Sequence, residues 1–288
     1  MKILYRCFAN RWHKLFTDIN FWITVGFMVL LFASSVIYMD FSKNDEYSVW
    51  LSLLTFDRAF MTEHIEFSSA SILMNHNIGY LPMFISIVAA FAVVRQQCTE
   101  YDCGVMRFIL IRTDNTKYHI ANFVSGVLSG GVVTALGFII YGIAIYLLFP
   151  QFDIYSEQMQ QSQIEFYQMC YGIAFQTNCF LLVLQKIPIM FLYGVFVSMP
   201  AVALTGITYN PYTTLCLPFF FHYVMIQLGI KMTELSDSKV LYYIRPSAWL
   251  EFTIKDDLYI AILLRLFVLF CLAIFYLLMR RSRPDRGA

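Results

Sequence analysis

Six long apolar runs, at 21–39, 78–94, 123–149, 187–207, 213–230 and 258–279, alternate with polar stretches of very unequal length. A helix rises 1.5 Å per residue and needs about 20 residues to cross roughly 30 Å of hydrocarbon, so the pattern predicts six transmembrane helices. The first run carries no charge. Pro82 falls in the first turn of the second, where a missing N–H costs little. The third is long enough to tilt or to project beyond the bilayer. The fourth is expected to start at Pro188 and contains Pro200; the fifth follows the polar turn Tyr209-Asn210-Pro211-Tyr212; the sixth contains Arg265 and stops at Arg280-Arg281. Ahead of the first run, Leu4, Phe8, Trp12, Leu15 and Phe16 share one helical face, and Lys2, Arg6, Asn10 and Lys14 share another. That predicts an amphipathic helix lying in the membrane interface, with Phe8, Trp12 and Phe16 at the acyl boundary. The first run is too long, and too far from the N-terminus, for the apolar region of a signal peptide, so it is expected to stay as an anchor.

Composition supports a lipid solvent. Of the 288 residues 59% are hydrophobic and 14% charged, against about 45 to 50% and about 25% in ordinary soluble domains. Too few charges remain to cover a water-facing surface. With the N-terminus inside, the segments 1–20, 95–120, 208–212 and 280–288 are cytoplasmic and hold twelve Lys and Arg residues. The outer loops 40–77, 150–186 and 231–257 hold seven, together with fourteen Asp and Glu. Basic flanks are retained in the cytoplasm, so both termini are expected inside, in a cell membrane. The expected fold is an all-α polytopic membrane protein forming one permease domain over residues 1–288. A net charge of +1 gives no case for a nucleic-acid partner. Of the seven scattered cysteines, Cys170 and Cys179 fall together on the outer side and can either pair or remain ordinary buried thiols.

Reactive constellations are missing from the sequence. It has no phosphate-binding Gly-x-x-x-x-Gly-Lys-Ser/Thr loop, no His-Glu-x-x-His pair and no Gly-x-Ser-x-Gly elbow. His64, within Glu63-His64-Ile65-Glu66, and His76 offer an outer metal site or, as readily, a solvated loop face. Within the predicted spans no carboxylate occurs, and Arg265 is the clear charge; it either snorkels and packs or lines a pathway. Lys186 and Gln185 read as interfacial anchors ahead of the fourth span, and His222 as a packed, hydrogen-bonded residue. A chain that moves a cargo without carboxylate relays or a nucleotide site must receive its energy from another subunit.

The loop 95–120 is the place to receive it. Its middle, Val105 to Ile111, is apolar and interrupted by Arg107; Met106, Phe108, Ile109 and Ile111 suit a short helix along the membrane, closed by Asp114-Asn115. The same composition fits a helix that only seals the loop. In its order of Glu100, Gly104, the Met106-Arg107-Phe108-Ile109 run, Arg112 and Lys117, the loop resembles the cytoplasmic coupling loop of the ABC type-2 exporter permeases. The resemblance extends to the amphipathic N-terminal helix, the six runs and the Arg245-Pro246-Ser247-Ala248-Trp249-Leu250 stretch before the last of them. Val105 stands where the family commonly has Thr, and Thr113-Asp114-Asn115 replaces a Pro-containing turn.

The resemblance implies a permease that binds no cofactor itself. It would pair with a second copy or a related permease and with two ABC ATPase subunits, which hold the ATP and magnesium. Glu100, Gly104, Met106, Arg107, Phe108, Ile109 and Arg112 are the residues it assigns to ATPase coupling, and a hydrophobic or amphipathic cargo, such as a peptide, an antimicrobial or a lipid-like molecule, is what the permease would export. Gly126, Gly130 and Thr134 in the third span allow close helix approach, within one permease or between two. Two other readings stand beside it: a membrane-embedded immunity or sensor protein that binds an extracellular peptide, and a scaffold for a membrane enzyme using the acidic segment 40–77.

Overall fold

The computed structural model describes residues 2–40, 45–74, 81–104, 109, 115–171, 178–208, 210–235 and 258–282. Helix dominates, as the apolar runs require, and six long helical units occupy the places of the six runs. The chain opens with α1 (Lys2–Thr17) and α2 (Ile19–Ala33). A two-stranded antiparallel ribbon follows, β1 (Val36–Asp40) and β2 (Asp45–Ser48), then the short helices α3 (Val49–Thr55), α4 (Arg58–Glu63) and α5 (Ser69–Met74). Beyond them run α6 (Leu81–Asp102), α7 (Asn115–Leu148), α8 (Glu157–Tyr171), α9 (Cys179–Leu204), α10 (Pro211–Leu235) and α11 (Leu258–Ser282).

The core of the bundle is the α7–α9 pair, the most extensive helix contact among the described residues, with α2, α6 and α11 packed around it and α10 against α6. Small residues let the two central backbones meet. Gly130 and Thr134 on α7 face Gly194 and Ser198 on α9, each pair spaced four apart, and the Ser198 hydroxyl donates across the interface to the Val127 carbonyl at 3.2 Å. A Cβ added at Gly131 would come within 2.8 Å of the Phe191 carbonyl oxygen. The small-residue series therefore serves packing within one chain, between α7 and α9.

The chain is built as a membrane protein. Helices α7 and α9 are each long and apolar enough to cross a bilayer, and a third crossing is reached when the bent pair α1–α2 is taken as one span. A shorter apolar stretch, Leu266–Met279, lies in α11. Outward-facing side chains repeat the message: Trp22, Phe27 and Leu30 on α2, Phe220 and Val224 on α10, and Leu263, Phe267, Phe270 and Leu278 on α11 are all exposed. Helices that are apolar on both their packed and their open faces need lipid on the open one.

Several boundaries differ from the sequence reading. The run 21–39 is not all helix: α2 stops at Ala33, where Ser34 and Ser35 turn their hydroxyls back to the Leu31 and Phe32 carbonyls (2.6 and 2.8 Å). Such local bonds compete with the helix ladder, and Val36, Ile37 and Tyr38 then suit a strand. Among the described residues the ribbon is the departure from an all-α fold. Helix α6 runs eight residues past 94 and α7 begins eight before 123, so both ends of the segment 95–120 are helical. Helix α9 begins at Cys179 instead of 187, capped by Asn178, whose side chain accepts from the Phe180 N–H at 3.0 Å. This carries Lys186 inside the helix. Far from being an interfacial anchor, Lys186 is fully buried, and its ammonium donates to the Leu73 carbonyl in the last turn of α5. A helix C-terminus, where carbonyls point outward, is a favourable partner for a buried cation.

The stretch 45–74, expected to lie in a loop, folds as a cap on one end of the bundle. Tyr38, Tyr47, Phe56, Phe60, His64 and Phe67 form a cluster of rings, with Phe56 stacked on Phe60 at 4.6 Å and His64 against Phe60 at 4.4 Å. His64 is thus packed among aromatics, not spread on a solvated face, and among the described residues no group of three or more His, Cys, Asp or Glu is placed to hold a metal. His76 lies outside the described residues. Two hydrogen bonds fasten the cap to the turn after α7: the Ser69 N–H to the Pro150 carbonyl (2.9 Å) and the Tyr155 hydroxyl to the Met61 carbonyl (2.7 Å). Cys179 is a buried free thiol, and the side chain of Cys170 lies outside those described.

Candidate functional site: a polar clamp between three helices

The end of the bundle opposite the cap is organised by α1. Between Phe8–Thr17 and Ile19–Ala33 the chain bends by 68°, so that α1 lies across the bundle while α2 runs along it. Asp18 makes the bend, ending α1 and capping α2 through the Asn20 N–H at 3.0 Å. Two further bonds hold the corner: the Trp22 indole N–H donates to the Phe16 carbonyl (3.0 Å), and the Arg95 guanidinium of α6 donates to the Asn20 side chain (2.7 Å). Phe8, Trp12, Phe16 and Phe21 form a continuous ladder of rings around it, at 5.9, 5.4 and 5.2 Å between successive centroids. The three aromatic residues assigned to the interfacial face do lie together.

Within this corner Glu100, near the end of α6, receives two cations from α1. The Arg11 guanidinium donates to one carboxylate oxygen at 3.1 Å and the Lys14 ammonium to the other at 3.3 Å. The same Arg11 nitrogen donates to the Tyr118 hydroxyl of α7 at 2.7 Å, and the guanidinium carbon lies 5.1 Å from the centre of the Tyr118 ring. Arg11 and Glu100 are largely withdrawn from water, with 10% and 12% of their side chains exposed, whereas Lys14 keeps 42%. Charge-assisted bonds in a partly dry setting are the strong kind, so one carboxylate ties α1, α6 and α7 into a unit.

A second, neutral set of bonds continues the clamp into the bundle. The hydroxyl of Thr205, which caps the end of α9, donates to the Gln97 side chain of α6 (2.7 Å), Gln97 donates to the Asn122 carbonyl of α7 (3.4 Å), and Asn122 donates to the Tyr276 hydroxyl of α11 (3.1 Å). Gln97 and Asn122 lie one turn deeper than Glu100 and Tyr118 respectively, on the same faces. The two layers together connect α1, α6, α7, α9 and α11 at one level of the molecule.

Of the residues assigned to ATPase coupling, two have a structural place here. Glu100 is turned inward to α1, and Gly104 ends α6 in a left-handed conformation, φ +69°, with its N–H donating to the Tyr101 carbonyl at 2.9 Å. A glycine just past a helix end takes that conformation without strain, which accounts for its position. Ile109 is helical and half-buried. Met106, Arg107, Phe108 and Arg112 lie outside the described residues, as does the Arg245–Leu250 stretch. Arg265 falls within α11, its side chain outside those described. His222 is buried and bonded through Nδ1 to the Pro218 carbonyl at 2.8 Å, on α10 and remote from the clamp.

The sequence does not single out Arg11 and Tyr118, nor Gln97, Asn122, Thr205 and Tyr276 of the second layer. A signal existed for Arg11: at 100° per residue it falls beside Leu4 and Leu15, on the apolar face of α1. A cation on the buried face of an amphipathic helix calls for an acidic partner elsewhere. Comparison of the chain with protein-family models, with curated proteins and with solved structures gives no match.

Proposed function

We propose that this chain is the membrane-spanning permease subunit of an ATP-driven exporter, with six spans and both termini in the cytoplasm of a cell membrane. Its energy would come from two separate ABC ATPase subunits carrying ATP and magnesium, and its cargo would be hydrophobic or amphipathic. A second copy or a related permease would complete the pathway. The observation that carries the reading is the clamp on Glu100. The segment between α6 and α7 is anchored at both roots to the cross-lying helix α1, through Glu100 on one side and Tyr118 on the other. A force delivered to that segment reaches α1, α6 and α7 together, and through Gln97 and Asn122 it reaches α9 and α11. Rigid helices joined in this way move as bodies, which is what coupling a distant ATPase to a membrane pathway requires.

The test uses the chain expressed with a soluble ABC ATPase, which this reading expects in a neighbouring reading frame. Replacing Arg107 and Phe108 together by Ala is expected to abolish co-purification of the ATPase and ATP-dependent export while the chain still inserts in the membrane. Undiminished co-purification would remove the docking role from this segment.

A further inference from the structure

Helix α3 is built inside out for a helix in water. Its buried residues are Val49 and Ser52, the Ser52 hydroxyl donating to the Ser48 carbonyl at 2.8 Å, while Trp50, Leu51 and Leu54 are 59%, 42% and 70% exposed. Single exposed leucines are ordinary on soluble proteins, but three large apolar side chains on one seven-residue helix, with a serine turned to the core, are not. Polar residues frame the helix on both sides: Asp45 and Glu46 before it, Asp57 and Arg58 after it, all exposed.

The depth of α3 can be read from its neighbours. The Val49 N–H donates to the Ser35 carbonyl at 3.0 Å, so α3 starts beside the end of α2. With fifteen residues, α2 is about 22 Å long and too short to cross roughly 30 Å of hydrocarbon. At its end Phe32 packs on Tyr141 of α7, ring centres 5.7 Å apart. From that level α7 continues for about 10 Å, and there Ile143, Tyr146, Leu147 and Leu148 are exposed. Taken from an α1 that lies in the interface, as its amphipathic sequence predicts, the two lengths end to end match the hydrocarbon thickness. The level at which α3 begins therefore lies inside the apolar band, not beyond it.

We infer that α3 is an interfacial helix that sinks Trp50, Leu51 and Leu54 into the acyl chains of the leaflet at the cap end, so that the cap is docked on the bilayer. The helix starts beside the end of α2, whose Trp22, Phe27 and Leu30 are exposed as well, and on this inference the charges at either end stand where headgroups and water begin. Trp at such a level is the usual aromatic anchor. The inference is independent of what the bundle transports.

The full chain is reconstituted in phosphatidylcholine vesicles, and its tryptophan emission is compared with that in phosphatidylcholine brominated near the glycerol end of the chains. The contribution of Trp50 is the difference between the native chain and Trp50→Phe. Bromolipid is expected to quench that contribution while aqueous iodide leaves it intact. Quenching by iodide without bromolipid quenching would place Trp50 in water and overturn the inference. Protection from both quenchers would mean that protein covers α3, a second copy or a bound peptide, and would overturn it equally. Leu54→Trp, which leaves Trp50 in place, must add emission with the same bromolipid-quenched, iodide-insensitive character; added emission that iodide quenches would count against the docking.

Discussion

Removing the negative charge at Glu100 should loosen α1 from the bundle, by an amount the structure lets one bracket. In Glu100→Gln the side chain keeps its shape and one acceptor oxygen, but Arg11, with 10% of its side chain exposed, loses its counterion. Breaking a fully buried pair costs about 3–5 kcal/mol. Water reaches this pair and Lys14 is 42% exposed, so the lower figure for hydrogen bonds to charged groups applies, about 1.5–3 kcal/mol. At a few degrees per kcal/mol, thermal unfolding in detergent micelles should fall by roughly 4–10 °C. The decisive form is a double-mutant cycle with Arg11→Gln, because either single change also disturbs local packing. Removing both partners should cost clearly less than the two single losses together, with a coupling of about 1–2 kcal/mol. The same cycle with Lys14→Gln should give under about 1 kcal/mol, as exposed pairs do. Additivity of Arg11→Gln and Glu100→Gln within about 0.5 kcal/mol would refute the clamp.

Three further outcomes follow from particular contacts. Gly130→Leu, at the crossing of α7 and α9, should destabilise the bundle by at least about 1–3 kcal/mol, since a Cβ at this position already comes within 3.0 Å of the Gly194 carbonyl oxygen; a folded variant with unchanged thermal stability would refute the close approach. Gly104→Ala meets no neighbouring atom, so its cost should be the strain of the left-handed conformation alone, about 1–2 kcal/mol, read as a lower unfolding temperature; a neutral or stabilising change would show that the chain does not hold that conformation. Cys103 is exposed and Cys98, one and a half turns away, is buried; in intact cells an impermeant maleimide should leave Cys103 of a variant keeping only these two cysteines unlabelled until the membrane is opened, with Cys98 unreactive throughout. Labelling of Cys103 in intact cells would put the clamp on the outer side and end the coupling reading.

What the sequence discloses of this fold is its apolar lengths, because lipid selects for them directly. The α7 and α9 spans, the cross-lying α1 with its aromatic face, and a close approach through Gly130 and Thr134 can all be read from periodicity and residue size. What it hides are positions where one local bond overrides composition. Residues 36–39 look like the end of a span, yet two serine hydroxyls that bond back onto the helix turn them into a strand. Residues 179–186 look like a loop edge because Gln185 and Lys186 break the apolar run, yet the Asn178 cap starts the helix there and the carbonyl of Leu73 receives the ammonium. The cap looks like an acidic loop in the sequence because its charges are on the surface and its rings, which hold it together, are spaced irregularly along the chain.

The same distinction explains why the clamp was only half legible. Glu100 could be singled out only through the loop's resemblance to the coupling loop of exporter permeases, and that resemblance directed it outward, to a partner subunit. The structure turns it toward α1. A carboxylate already held by Arg11 and Lys14 is poorly suited to grip an ATPase, because a third cation would have to displace a bond that is largely out of water. Its chemistry suits a joint better than a handle: on the proposed function it would fix the root of the segment, so that a partner docked at 105–112 would move the helices and not merely the loop. On this argument a change at Glu100 and a change at Arg107 and Phe108 should fail differently. The first should leave an ATPase bound but uncoupled, with hydrolysis no longer driving export, and the second should lose the ATPase altogether. Equal loss of co-purification in both would return Glu100 to the docking surface and remove the joint.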